Sequence, residues 1–177
     1  MTLEERLQRL EDDRAIRDLK ARYLQACDAK DPDGVLDTLH PKGARIAYEG
    51  FPPFDNREDF VAIYRLMGCT PDIFDIHHAA NGIITFDSDV RATGRWSLYF
   101  HNIHLGQRTL TQMGVVYDDV YVKENGRWWI AETRSRRTSC TSSRTSCPAT
   151  SGGRVRSTAS KRSSNVIFRA RSASRSC

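Results

Sequence analysis

His77 lies mid-chain in the stretch Asp75-Ile76-His77-His78-Ala79-Ala80-Asn81-Gly82, within a run that alternates as a strand does. On a strand, Ile73, Asp75 and His77 share one side, and Phe74, Ile76 and His78 share the other. Two adjacent histidines therefore point to opposite faces, and one of them can face an interior cavity. An imidazole placed there is the side chain best suited to move a proton near neutral pH. A lone histidine on a strand is more often a hydrogen-bonded structural residue, and His78, of opposite parity, is read that way. His77 is set apart by what the rest of the chain can offer it: Asp28 at the end of a long helical pattern, and the phenols of Tyr23 and Tyr48. Taken alone, Asp28 reads as a helix-terminal surface charge, and either tyrosine as part of an amphipathic core.

The elements that must position these groups are marked by local signals. Thr2-Leu3-Glu4-Glu5 is a capping box. Leu3, Leu7 and Leu10, then Ile16, Leu19, Tyr23, Leu24 and Cys27, follow at helical spacing and predict one long amphipathic helix, or two in tandem, ending near Asp28. Asp31-Pro32 restarts a helix that carries Val35, Leu36 and Leu39. Residues 44–51 read as a strand, and Asn56 caps a third helix with Phe60, Ile63, Tyr64 and Met67. The strand through His77 runs to Phe86 with a bulge at Asn81-Gly82. Strands follow over Val90 to Asn102 and residues 111–123, then a hairpin turn at Asn125-Gly126, then a last strand from Arg127 to Arg134. Helices first and antiparallel strands after predict an α+β fold, with helices packed on one face of a strongly curved sheet that can enclose a pocket.

The chain of 177 residues is long enough for one domain with a real core. Its net charge of +5 is a property of one end, because residues 134–177 hold 11 Lys and Arg and no Asp or Glu. The first 133 residues then carry 16 basic against 22 acidic side chains, a balance of −6, so a nucleic-acid-binding domain is not expected. From about Ser135, Ser, Thr and Arg dominate, and Val166-Ile167-Phe168 is the only apolar patch. Such a composition cannot bury enough surface to offset chain entropy. It reads as a basic arm or, preferably, as an out-of-frame or otherwise aberrant end. The domain is placed at 1–137 and a disordered or poorly packed tail at 138–177. No run of about twenty apolar residues suggests a membrane span. The charged N-terminus does not read as a signal peptide, so a cytoplasmic location is expected. Cys27, Cys69, Cys140, Cys147 and Cys177 show no metal-site spacing, and no disulfide framework is expected. No His/Asp/Glu cluster has ligand spacing for a metal, and phosphate-loop and nucleophile motifs are missing.

Several blocks together resemble the SnoaL-like branch of the nuclear transport factor 2-like superfamily. They are Ala15-Ile16-Arg17-Asp18-Leu19, Tyr23 with Cys27-Asp28-Ala29-Lys30-Asp31, Ala92-Thr93-Gly94-Arg95-Trp96, and Asn125-Gly126-Arg127-Trp128-Trp129-Ile130. The likeness covers roughly residues 3–137 and implies a cone: a curved mixed sheet wrapped around helices, with a pocket at the open end. Within the branch, Ala92 to Trp96 and Trp128 to Thr133 are similar to bile-acid 7-alpha-dehydratase, and Arg45-Ile46-Ala47-Tyr48 to scytalone dehydratase. The dehydrochlorinase that removes HCl from hexachlorocyclohexane has an Asp and a His that fall at Asp28 and His77. The superfamily also contains isomerases, cyclases, dioxygenase small subunits and non-enzymatic binders.

The resemblance implies that His77 is the base, Asp28 its orienting carboxylate, and Tyr23 and Tyr48 donors to the substrate. An arginine of the bile-acid enzyme falls at Arg137, but its aspartate falls at Phe100, and Tyr117 stands where scytalone dehydratase has an asparagine. Neither exact substrate is therefore implied. Elimination of water β to a carbonyl needs a base for the α-proton, a donor for the growing enolate oxygen, and an acid for the leaving hydroxyl. An imidazole fixed by a carboxylate can be base and then acid, and two phenols can polarise a carbonyl without a metal. Trp96, Leu98 and Phe100 share a strand face, and either line an apolar pocket or form plain core. The leading expectation is a cofactor-free lyase or isomerase, foremost a dehydratase acting on a small hydrophobic ring substrate. The alternatives are a non-catalytic binding or dimerisation module, and the small subunit of a ring-hydroxylating dioxygenase. Apolar residues at both parities of the strands over 90–134 predict a homo-oligomer, dimer or trimer, formed through the sheet, with each pocket built within one chain.

Overall fold

Thr2 closes the first helix as the capping box predicts. Its backbone N–H donates to Glu5 Oε2 at 2.7 Å, and its hydroxyl accepts from the Glu5 N–H at 3.1 Å. The computed structural model describes residues 1–144. Helix α1 (Leu3–Asp28) runs unbroken and buries Ile16, Leu19, Tyr23, Leu24 and Cys27. Asp31 caps α2 (Pro32–Thr38), accepting from the Gly34 N–H at 2.9 Å, and Asn56 caps α3 (Arg57–Met67), accepting from the Asp59 N–H at 2.7 Å. Between α2 and α3 lies the short strand β1 (Arg45–Tyr48). Four long strands follow: β2 (Ile73–Ser88), β3 (Arg91–His104), β4 (Thr109–Glu124) and β5 (Arg127–Arg144).

The sheet order is β1-β5-β4-β3-β2, with β1 parallel to β5 and every other pairing antiparallel. Its concave face packs on α1, so the fold is α+β with helices inside a curved, unclosed sheet, as expected. The bulge expected at Asn81-Gly82 is present: the β2–β3 register slips between Ala80 and Ile83, and Asn81 takes a φ of 53°. A side chain at Gly82 would strike the Trp96 ring at 2.2 Å, so only glycine permits this close approach. The extra residue exchanges parity along β2. Before it His77 faces inward; after it Ile84 and Phe86 do, and both pack against the core.

Three expectations are corrected. Leu3, Leu7 and Leu10 are 73%, 55% and 69% exposed. They form a stripe on the side of α1 opposite to Ile16, Leu19 and Tyr23, and only the latter meets the sheet. In α3, Phe60 and Val61 are buried whereas Ile63 and Met67 stay exposed. The last strand does not end at Arg134 but continues to Arg144, pairing Ser139 to Arg144 with Gly114 to Thr109. The long β4 offers unpaired backbone groups there, and a ladder satisfies them whatever the side chains are. The expectation for the tail beyond residue 144 lies outside the described residues.

Candidate active site

The last residue of α1 meets the inner face of the edge strand β2. Asp28 Oδ1 lies 2.6 Å from His77 Nδ1, and the same carboxylate accepts the His77 backbone N–H at 3.1 and 3.2 Å. Backbone and ring are thus held by one group, which fixes the ring's orientation. With Nδ1–H donating to Asp28, the lone pair of Nε2 is left for a substrate proton. The His77 side chain is 13% exposed and lies 4.6 Å, centroid to centroid, from the Phe100 ring.

His77 borders a cavity of about 470 Å³ that also touches Tyr48, Leu98, Phe100, Tyr117 and Arg137. Six of the expected site residues therefore line one cavity. Asp28 stands behind the wall, holding His77. Tyr23 is also behind it: buried to 2%, it places its hydroxyl 2.5 Å from the Tyr48 hydroxyl and reaches the cavity only through that phenol. The Tyr48 ring is in turn edge-on to Tyr117, 5.7 Å away. Trp96 is not brought to this cavity. Its indole N–H donates to the Tyr121 hydroxyl at 2.9 Å, and it borders a smaller cavity of about 280 Å³ on the other flank of His77, with Arg17, Lys20 and Gln25. Trp96 shares the inner face with Leu98 and Phe100, but its ring lies on the side of β3 toward β2 and α1, whereas its register partner Tyr117 on β4 lines the larger cavity.

Burial pushes the phenols of Tyr23, Tyr48 and Tyr117 above their ordinary value, and the neighbouring Tyr48 adds to this for Tyr23 and Tyr117. All three remain neutral donors. Burial likewise pushes the Cys27 thiol up to about 12, so it lines the cavity as an inert thiol rather than a nucleophile. Among the described residues no group of three or more His, Cys, Asp or Glu could hold a metal ion. No helix among them is long and apolar enough to cross a membrane.

Sequence reasoning missed several cavity residues. Asp75 was legible through its parity with His77. Glu49, which pairs with Arg137 at 3.2 Å, sits just past β1. Tyr64 of α3, whose hydroxyl donates to the Cys27 carbonyl at 2.8 Å, and Met113 and Val115 of β4 were legible only as core.

The sequence model of the SnoaL-like domain family matches residues 8–134. Among solved structures, the LinA-type3 hexachlorocyclohexane dehydrochlorinase of Novosphingobium barchaimii LL02 is similar at 19% identity, covering 80% of this chain and 99% of that one, with a TM-score of 0.70. A candidate scytalone dehydratase from Novosphingobium aromaticivorans DSM 12444 is similar at 20% identity, over 82% of this chain and 98% of that one, with a TM-score of 0.70. ActVI-ORFA of Streptomyces coelicolor is similar at 14% identity, over 70% and 95% of the two chains, with a TM-score of 0.60. At these identities the likeness establishes the shared fold alone.

Proposed function

The chain belongs to the SnoaL-like family, and from that premise we propose that it is a cofactor-free lyase, a dehydratase acting on a hydrophobic, steroid-like or polyketide-like ring substrate. The observation that carries this reading is the 2.6 Å contact between Asp28 and His77 at the wall of an open cavity. A binding module needs no such pair, and a filled cavity would have favoured one. The cavity volume suits a small organic ligand, and Leu98, Phe100, Met113 and Val115 supply its apolar wall. Solved relatives that are named as a dehydrochlorinase and a candidate dehydratase both suggest elimination.

In this reading His77 Nε2 takes the proton α to a carbonyl. The C–H pair moves into the enolate, whose oxygen is stabilised by the Tyr48 hydroxyl with Tyr23 behind it. Asp28 stabilises the imidazolium that forms. The enolate then expels the β-hydroxyl, which departs as water with the proton that His77 returns. Incubating the protein with a panel of β-hydroxy ring ketones and steroid thioesters, and following new conjugated absorbance, tests the proposal. Turnover by the native protein that collapses in His77→Ala is expected. A His77→Ala rate equal to wild type would overturn the assignment of the base.

We further propose a homo-oligomer, dimer or trimer, formed through the convex face of the sheet. Phe74, Ile76 and Tyr99 lie there 41%, 37% and 51% exposed, and a second copy would remove them from water. Light scattering at micromolar concentration checks this, and a clean monomer mass would refute it.

A further inference from the structure

Asp75 takes no part in the elimination described above, yet it lines the same cavity as His77. It precedes His77 by two residues on β2, so the two side chains leave one face of the strand with their Cα atoms roughly 7 Å apart. The Asp75 side chain is 12% exposed and is held from both sides. Lys30 Nζ donates to Oδ2 at 2.5 Å, and Asn102 Nδ2, from the residue opposite on β3, donates to Oδ1 at 2.8 Å.

Lys30 reaches this place through an uncommon backbone. The Asp31 N–H donates to the Ala26 carbonyl at 2.9 Å and the Lys30 N–H to the Cys27 carbonyl at 3.3 Å, the double bond pattern that ends a helix with a left-handed residue. That residue is ordinarily glycine, but here it is Lys30, with φ 57°. The left-handed conformation is disfavoured for a residue with a Cβ such as lysine. In return its ammonium compensates the charge of Asp75 just beyond the dyad. Each carboxylate oxygen has accepted one bond and keeps a further lone pair. The second carboxylate on the cavity, Glu49, is likewise held by the Arg137 backbone N–H at 2.8 Å and its guanidinium at 3.2 Å, but its side chain is 43% exposed and so water competes for it more than for Asp75.

Resting on the reading of the site as a ring-ketone lyase, we propose that Asp75 determines specificity. It accepts a hydrogen bond from a hydroxyl that the substrate carries on the part of its ring system remote from the carbon His77 deprotonates. The substrate class is then a ring ketone with a second, remote hydroxyl. A ring carrying a carboxylate at that place is disfavoured, because Asp75 offers it acceptors and no donor, while Lys30 and Asn102 are already engaged by Asp75.

The test is isothermal titration calorimetry of the full-length protein with three probes that have no leaving group: tetralone, a hydroxytetralone with a phenol on the far ring, and the corresponding carboxylate. The native protein is expected to bind the hydroxytetralone about tenfold more tightly than tetralone, with the carboxylate weakest. Asp75→Asn is expected to bring hydroxytetralone down to about the affinity of tetralone and to narrow the gap to the carboxylate. Equal affinities of the native protein for tetralone and hydroxytetralone would overturn the proposal without needing a variant. So would a tenfold preference that survives in Asp75→Asn. In both cases the ring-ketone reading of the cavity would stand. If none of the three probes binds, that reading falls and the role of Asp75 falls with it.

Discussion

Two of the charge clusters that helix α1 carries have opposite fates. Lys20, two turns before the helix end, is 1% exposed and lies 2.8 Å from Asp119, which is 0% exposed. Its ammonium also sits 3.7 Å above the Tyr117 ring. Asp119 accepts from the Tyr121 hydroxyl at 2.8 Å, and Tyr121 accepts from Trp96. These buried polar groups are engaged with one another, and burial pulls the Lys20 ammonium below its ordinary value despite Asp119. At the helix end, Asp28 is 33% exposed and His77 13%. The pairing is of the same kind, a charged residue of α1 with a residue of a strand, but here one nitrogen is left over. On the proposed reading, what separates the two pairs is less which charges are paired than whether a nitrogen is left facing the cavity.

The comparison breaks most visibly at the open end. His77→Ala is expected to lower kcat/KM about 10²–10⁴-fold while leaving the melting temperature nearly unchanged, since the ring faces a cavity. Asp28→Asn should follow, by disorienting the same ring. A loss of stability as large as the loss of rate would place the dyad among the structural pairs.

Lys20→Met inverts the pattern. It strands Asp119 without its cation and is expected to cost about 3–5 kcal/mol in urea unfolding. Adding Asp119→Leu should restore most of that, because a well-packed apolar pair replaces a buried ion pair at little net cost. A double variant as unstable as the single one would show that the network holds the fold by more than charge.

Tyr48→Phe probes the boundary between the two clusters. Its ring stays packed against Tyr117 and Phe60, and only the hydroxyl is lost. A fall of about ten- to a hundredfold in kcat is expected for one donor to a developing oxyanion, with a modest fall in melting temperature because the buried Tyr23 hydroxyl loses its partner. A change confined to KM would reassign Tyr48 to ground-state binding.

The smallest effect concerns acid. Asp12 is buried, and burial alone would raise its carboxyl. The hydrogen bonds from Lys123 and Trp128, each 2.7 Å, outweigh it and hold the group below its ordinary 3.8. A carboxyl depressed in the folded state contributes stability that is complete above its unfolded value and is lost as pH falls through the folded value. Asp12→Asn should therefore be less stable than wild type near neutral pH, and the difference should shrink below about pH 4 in denaturant titrations. A difference independent of pH would show that packing, not charge, is what Asp12 supplies.

Much of this was legible in the sequence because it is local. The Thr2–Glu5 box, the Asp31-Pro32 and Asn56 starts, the Asn125-Gly126 turn and the bulge at Asn81-Gly82 depend on neighbours a few residues apart, whose side chains and φ preferences act directly on the backbone. Strand parity alone put His77 and His78 on opposite faces, and His78 is indeed exposed. Periodicity also found apolar stripes on α1, but Leu3, Leu7 and Leu10 are as well spaced as the buried set, and only contact with the sheet decides which stripe is covered. The same holds for the site. Asp28 and His77 are 49 residues apart, and their role as a pair came from family resemblance rather than from spacing. Lys30 meets Asp75 only because a left-handed residue follows α1 beside β2, and Trp96 is drawn away from the larger cavity toward α1. The extension of β5 to Arg144 rests on backbone groups offered by β4, which the Ser- and Arg-rich composition of that segment does not announce. Local rules set the elements and their faces; which faces meet, and which charge is left facing a cavity, is settled by the curvature of a sheet whose paired residues lie far apart in the chain.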